Sequence, residues 1–190
     1  MTTAWRAASA AEFRFRGGRV SLDLCSTLLW RHVEPLEQLR TADDLERWLL
    51  EAGVAAPRVT ASAADVAQAR LLRETLYRSF LARLHGSRPS RHSVGVINRF
   101  AAAAVGRPRL TTDCRRTWHA EEPVAAALAA IAWDGIDLLA GRLSDRVREC
   151  AAPDCAFLFL DTSRGRNRRW CAMSRCGNRE HVRAHRRRRR

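Results

Sequence analysis

Four cysteines close to the C-terminus, Cys150, Cys155, Cys171 and Cys176, fall in the spacing C-x4-C-x15-C-x4-C and constrain this chain more than any other feature. Two tight pairs joined by a segment that folds back on itself supply a tetrahedral donor set, and thiolate suits a borderline-soft cation such as Zn2+. The N-terminal stretch MTTAWRAASAAEFRFRGG has no apolar run ahead of its charges and reads as lacking a signal peptide. Six cysteines without a secretory signal favour a reducing cytosol, where clustered thiols bind metal more often than they pair, so two disulfides are the weaker reading. Four thiolates also close the coordination shell, which points to one structural zinc and argues against a catalytic one. His181 and His185 lie four apart on one helical face. A C2H2 finger, however, wants about twelve residues between its second cysteine and first histidine, and only four separate Cys176 from His181. These histidines read as surface or phosphate-contacting groups. Cys25 and Cys114 stand alone in apolar or strand-like contexts and read as buried or idle thiols.

Charge is concentrated beside the cysteines. The chain contains no lysine, its 34 basic residues are all arginine, and its formal net charge is +14. Residues 164–190 hold twelve arginines and a single acid, Glu180, and so carry +11, against +3 for the first 163 residues. Abundant alanine together with exclusive arginine use looks like the product of a GC-rich genome, so the choice of arginine over lysine carries no message of its own. Guanidinium nonetheless binds phosphate and guanine edges bidentately. Arg164, Arg166, Arg168 and Arg169 precede the third ligand, Arg175 and Arg179 flank the fourth, and Arg183 and Arg186 continue along a final helix. If the metal fixes both turns, these groups form one basic surface for nucleic acid. Asn178 and Arg179 fall in the first turn of that helix, where backbone amides favour phosphate and both side chains can reach base edges. The alternative is structural: Asn178 caps the helix and Arg179 braces the cysteine turn. Residues 186–190 would add sequence-independent, salt-sensitive affinity; the alternative is a solvated tail with no specific role.

The remainder reads as mainly α. Residues 13–19 form an extended lead-in with a Gly-Gly turn, and residues 20–30 form a largely buried helix. Thr41 opens a helix through Leu50, stopped by Gly53. Ser62 or Thr60 caps a long helix to about His85, with Val66, Ala69, Leu72, Leu76, Phe80 and Leu84 recurring at three- and four-residue steps. Ser90 starts another helix ending at Gly106. Residues 109–112 and 115–119 form a small β-hairpin, and Pro123 begins a helix to about Arg142. The cysteine module reads as turn, strand, basic turn, turn and helix. It is too small to fold without its metal, and no linker separates it from the body. The domains are therefore a helical body over 13–145, a zinc module over 146–186 and a basic tail over 187–190. No apolar run approaches the ~20 residues that span a bilayer, so no membrane partner is expected. Asp23, Trp30 and Arg31 punctuate a buried stretch and are candidates for a ligand pocket; the alternative is a buried Asp pairing with Arg inside the core. Nothing resembles a Ser-His-Asp set, a phosphate-cradling glycine loop or a paired-carboxylate site, so no enzyme is expected.

The C-terminal segments Cys150-AAPD-Cys155, Phe159-Leu160-Asp161-Thr162-Ser163-Arg164, Arg168-Arg169-Trp170-Cys171 and Cys176-Gly177-Asn178-Arg179 resemble the CGNR zinc finger. In that family the finger follows a helical ABATE-type domain. Here Arg16-Gly17-Gly18-Arg19, then Leu22-Asp23, Thr27, Trp30 and Arg31, are similar to the start of that domain, with Asp23-Leu24-Cys25-Ser26-Thr27 in place of Asp-Phe-Val-Asn-Thr. The resemblance implies a bacterial, cytoplasmic, nucleoid-associated transcription regulator of the stress response that binds DNA. Its N-terminal domain would sense a small-molecule effector or mediate assembly, for example into a homodimer. The competing reading is a zinc-stabilised protein-interaction or RNA-binding module without sequence-specific DNA recognition.

Overall fold

A computed structural model of the chain describes residues 12–56, 58–103 and 107–188. The first helix, α1 (Val20–Cys25), is shorter than its apolar pattern predicts. The pattern carries it to Trp30, but the Ser26 and Thr27 hydroxyls donate back to the carbonyls of Asp23 (2.7 Å) and Leu24 (2.8 Å), satisfying the backbone without another helical turn. Trp30 then takes a left-handed backbone (φ 50°), which no helix accommodates. Two residues of strand, β1 (Leu28–Leu29), pair antiparallel with β2 (Leu36–Glu37) in their place.

The next helices start where their caps are written. Thr41 and Asp44 form a reciprocal capping box at α2 (Ala42–Glu51), and Ser62 and Asp65 do the same at α3 (Ala63–Leu84). Ser90 caps α4 (Arg91–Ala101) by accepting from Ser93 N at 3.1 Å. That helix stops at Ala101; the predicted end at Gly106 lies outside the described residues. The hairpin β3 (Arg107–Leu110) and β4 (Arg116–His119) follows, in the register Arg107↔His119 to Leu110↔Arg116. Trp118 Nε1 ties it to the body by donating to Gly53 O at 3.0 Å.

Pro123 occupies the first turn of α5 (Pro123–Ala140). This 18-residue helix is long and apolar enough to cross a membrane by length and composition, but half of it is buried against the other helices. Its two acids also have internal partners. Arg19 reaches Asp134 and Asp137 at 2.6 Å each, and Asp134 Oδ2 accepts from Ser21 N at 2.9 Å. The carboxylate thus caps α1 from across the fold, and α5 is the central core helix.

After a 3-10 turn (Ser144–Arg146), β5 (Val147–Glu149) pairs antiparallel with β6 (Leu158–Leu160). A π-helical turn (Met173–Gly177) leads into α6 (Asn178–Arg188). Strand β6 and the residues leading into it face two ways, as alternation dictates. Leu158 and Leu160, with Val147 and Ala156, join the helical core, while Phe157 and Phe159 pack with the four cysteines. The lead-in adds to the strand's edge, Leu160 N donating to Gly17 O at 2.8 Å. A side chain at position 17 would put its Cβ 2.7 Å from Leu22 Cβ and 3.0 Å from Asp23 Oδ1, so only glycine fits there.

Candidate metal centre and its basic surround

Cys150 and Cys155 bracket the loop joining β5 to β6. Cys150 N donates to Phe157 O and Cys155 N to Ala152 O, both at 2.9 Å. Cys171 and Cys176 flank the start of the π-helical turn that opens α6. All four side chains are buried and their sulfurs lie within 4.8 Å of one another. The Sγ separations are 3.9 Å for Cys155–Cys171 and 3.5 Å for Cys171–Cys176. Zn–S bonds of about 2.3 Å in a regular tetrahedron give edges of about 3.8 Å, so the donor set fits one zinc with a closed, all-sulfur shell. Hydrogen bonds from Cys155, Cys171 and Cys176 hold the Cys150 thiol far below its ordinary range, whereas contacts led by Cys150 push Cys155 and Cys176 far above it. Four thiols this close cannot all ionise unaided, and a dication supplies the compensating charge. Cys171 N adds an N–H···S bond to Cys150 at 3.4 Å. His181 stays out of the cluster, its ring 5.4 Å from that of Trp170.

The segment between the cysteine pairs is organised by Asp161, which is fully buried. Its carboxylate accepts from Ser163 N at 2.9 Å and Arg168 N at 3.0 Å, and hydrogen bonding led by the Ser163 side chain holds it below the usual carboxylate range. Arg168 folds inward: its guanidinium lies 4.3 Å from the Phe159 ring centroid and donates to the carbonyls of Trp170 (3.0 Å) and Cys171. Arg179 donates to Asp154 Oδ1 at 2.6 Å and to Cys176 Sγ at 3.6 Å, the contacts that a bracing residue would make.

The other arginines singled out in the sequence divide by partner. Arg183 reaches Glu180 at 2.6 Å and Asp154 at 3.2 Å, Arg175 reaches Glu12 at 2.9 Å, and Arg166 reaches Asp145 at 3.3 Å. Arg164, Arg169 and Arg186 are exposed, as is Asn178 at the first position of α6. Among the described residues those three arginines meet no acid; Arg169 lies against the Trp170 ring at 5.0 Å.

Asp23, Trp30 and Arg31 are engaged separately. Asp23 Oδ1 accepts from Gly17 N at 2.7 Å, and burial pushes its carboxyl up to about 6, against the hydrogen bonds from Gly17 and Arg16. The buried Trp30 ring receives the Arg14 guanidinium at 5.7 Å. Arg31 grips Glu74 with both Nη atoms, at 2.6 and 3.0 Å. The arginine thus pairs with Glu74, whose side chain is a third exposed, and not with Asp23. It belongs to a larger network that the sequence reading lacks. Arg73, 3% exposed, holds Glu37 at 2.6 and 2.7 Å, Glu74 at 2.8 Å and Thr27 Oγ1 at 3.2 Å. Despite its burial, Glu74 is held below its ordinary range by Arg31 and Arg73. The signal was present: position 73 falls four residues after Ala69 and seven after Val66, on the stripe that α3 buries. Arg31 also lies 4.0 Å over the Tyr77 ring, and Tyr77 Oη and His32 Nε2 meet Glu149 Oε1 at 3.1 and 3.0 Å, one residue before Cys150. The lone thiols differ: Cys25 is buried and pushed up to about 12 by desolvation, while Cys114 is exposed at the tip of the β3–β4 hairpin.

Comparison with protein families matches both parts of the chain. The CGNR zinc finger matches residues 146–189. ABATE, described as "Putative stress-induced transcription regulator", matches residues 18–142. A comparison with curated proteins gave no match. Matched over well more than half its length, the chain belongs to the ABATE family and carries a C-terminal CGNR zinc finger that holds one structural zinc.

Proposed function

We propose that this ABATE-family chain is a transcription regulator that binds duplex DNA through its zinc module. The observation that carries the reading is the set of exposed arginines that meet no acid among the described residues, on a fold that the metal ties together: Arg164, Arg169 and Arg186, with Arg187 beside them. Cations left unpaired on a rigid surface keep their full charge for phosphate and lose little entropy on contact. Asn178, exposed at the head of α6, offers its side chain to a base edge or phosphate; its own N–H is spent on the carbonyls of Met173 and Arg175 in the π-helical turn, so the contact rests on the amide side chain and not on a free helix terminus. Arg166, Arg168, Arg175, Arg179 and Arg183 contribute mainly by fixing this surface. In this reading the ABATE body senses an effector or joins two copies, and the protein works in the cytoplasm at the nucleoid.

The pairing of those five arginines within the protein favours a second reading, in which zinc docks the C-terminus for protein or RNA partners. Fluorescence anisotropy of the zinc-loaded chain on a random 20-base-pair duplex across a salt series separates the two. Four phosphate contacts give a slope of about −3.6 in log K against log salt. No binding at low salt would defeat the DNA reading, and tighter binding to single-stranded RNA would favour the second.

A further inference from the structure

A cavity of about 460 Å3 lies in the ABATE body between the C-terminal ends of α3 and α5 and the flank of α4. Its floor is apolar: Ile97 is buried, Ile136 and Leu139 are partly buried, and Val94 is 45% exposed at the lining. Arg83 and Arg88 also line it, and among the described residues neither meets a carboxylate. Arg83 and Arg88 are exposed; in the same body Arg19 has Asp134, Arg31 has Glu74 and Arg73 has Glu37, while Arg14, against the Trp30 ring, meets no carboxylate among the described residues. Here the cations are present and the anion is missing. The volume is that of a small-molecule site, and guanidinium is the side chain best matched to a carboxylate.

We propose that this cavity binds a small amphipathic carboxylate, with an apolar body of about eight to twelve carbons against Ile97, Ile136 and Leu139 and its carboxylate on Arg83 and Arg88. The location gives such a ligand a route to the metal. Leu139 and Ala140 lie in the last turn of α5, and only residues 141–143, the 3-10 turn and β5 separate that turn from Cys150. An occupied cavity would brace the segment from which the zinc module springs. The site stands on its own geometry and does not depend on DNA being the partner.

Isothermal titration of the zinc-loaded full chain with decanoate tests it, with decan-1-ol as the uncharged analogue. Saturable one-to-one binding of decanoate is expected. It should be at least about tenfold weaker for decan-1-ol and for the Arg83→Gln/Arg88→Gln double variant, since each loses the charge-assisted hydrogen bonds. Val94→Trp, at a half-exposed position, fills the cavity from outside and should abolish binding while circular dichroism shows the fold intact. Absence of saturable decanoate binding overturns the proposal. So does wild-type affinity in the double variant or in Val94→Trp.

Discussion

Asp154→Ala separates two roles for Arg179. Asp154 lies inside the first cysteine loop and accepts from Arg179 at 2.6 Å and Arg183 at 3.2 Å. A hydrogen bond between charged groups contributes about 1.5–3 kcal/mol, and the lower end applies here because the Asp154 and Arg179 side chains are 18% and 28% exposed. The contact to Arg183, whose side chain is 43% exposed, adds no more than a few tenths of a kcal/mol. The total is about 2 kcal/mol. Docking of α6 carries Cys176 into the sulfur cluster, so this loss should appear as about a 30-fold drop in zinc affinity. Competition against a chromophoric chelator measures it directly, with a thermal melt with and without EDTA as a check. Unchanged zinc affinity would refute the bracing role. The decisive contrary result is a variant that keeps its zinc and binds duplex DNA more tightly, because the freed Arg179 and Arg183 would then be acting as DNA contacts.

Other outcomes follow from the same geometry. Cys171→Ser removes the sulfur that approaches both Cys155 and Cys176, so bound zinc should fall from one per chain to near zero by elemental analysis; DNA binding that survives intact would assign it to the arginine tail alone. Asp23, raised to about 6 in the fold against an ordinary value of 3.8, keeps a proton that the unfolded chain has released between about pH 4 and 6. Stability should therefore fall as pH rises across that window. Asp23→Asn, which retains an acceptor for Gly17 N, should flatten the fall and stabilise the protein by up to about 3 kcal/mol at pH 7.5, read from urea midpoints at both ends of the range. Arg73→Met takes the shared cation from Glu37 and Glu74, which keep only Arg70 and Arg31 respectively, and should cost about 3 kcal/mol in urea unfolding; an unchanged midpoint would mean the network contributes nothing net.

What the sequence made legible was local. Thr41 with Asp44, Ser62 with Asp65, and Ser90 mark three helix starts, because a cap is decided by residues three apart. The sulfur cluster was legible for a related reason, since four ligands at fixed spacing need only a fold-back to meet. The end of α1 was not legible: it turns on two hydroxyls and the left-handed backbone of Trp30. Strand β5 has three residues, too few to show a period, and exists because β6 pairs with it. Least legible was which arginines would be neutralised. Arg179 meets an acid 25 residues away and Arg175 one 163 residues away, so a count of charge overstates the basic surface that the folded module offers.

Strand β6 bears on how freely the two family units can be separated. Residue 142 ends one matched region and residue 146 begins the other, yet no plane of weakness runs between them in the folded chain. A fragment stopping near that junction would strip Leu158 and Leu160 from over α1 and leave Gly17 O without the amide it accepts from. A fragment starting there would carry the same two leucines into water. Neither half is a portable part: a finger of this kind grafted onto another body must find an apolar seat cut for the back of its own strand, and a body stripped of its finger should be prone to aggregate.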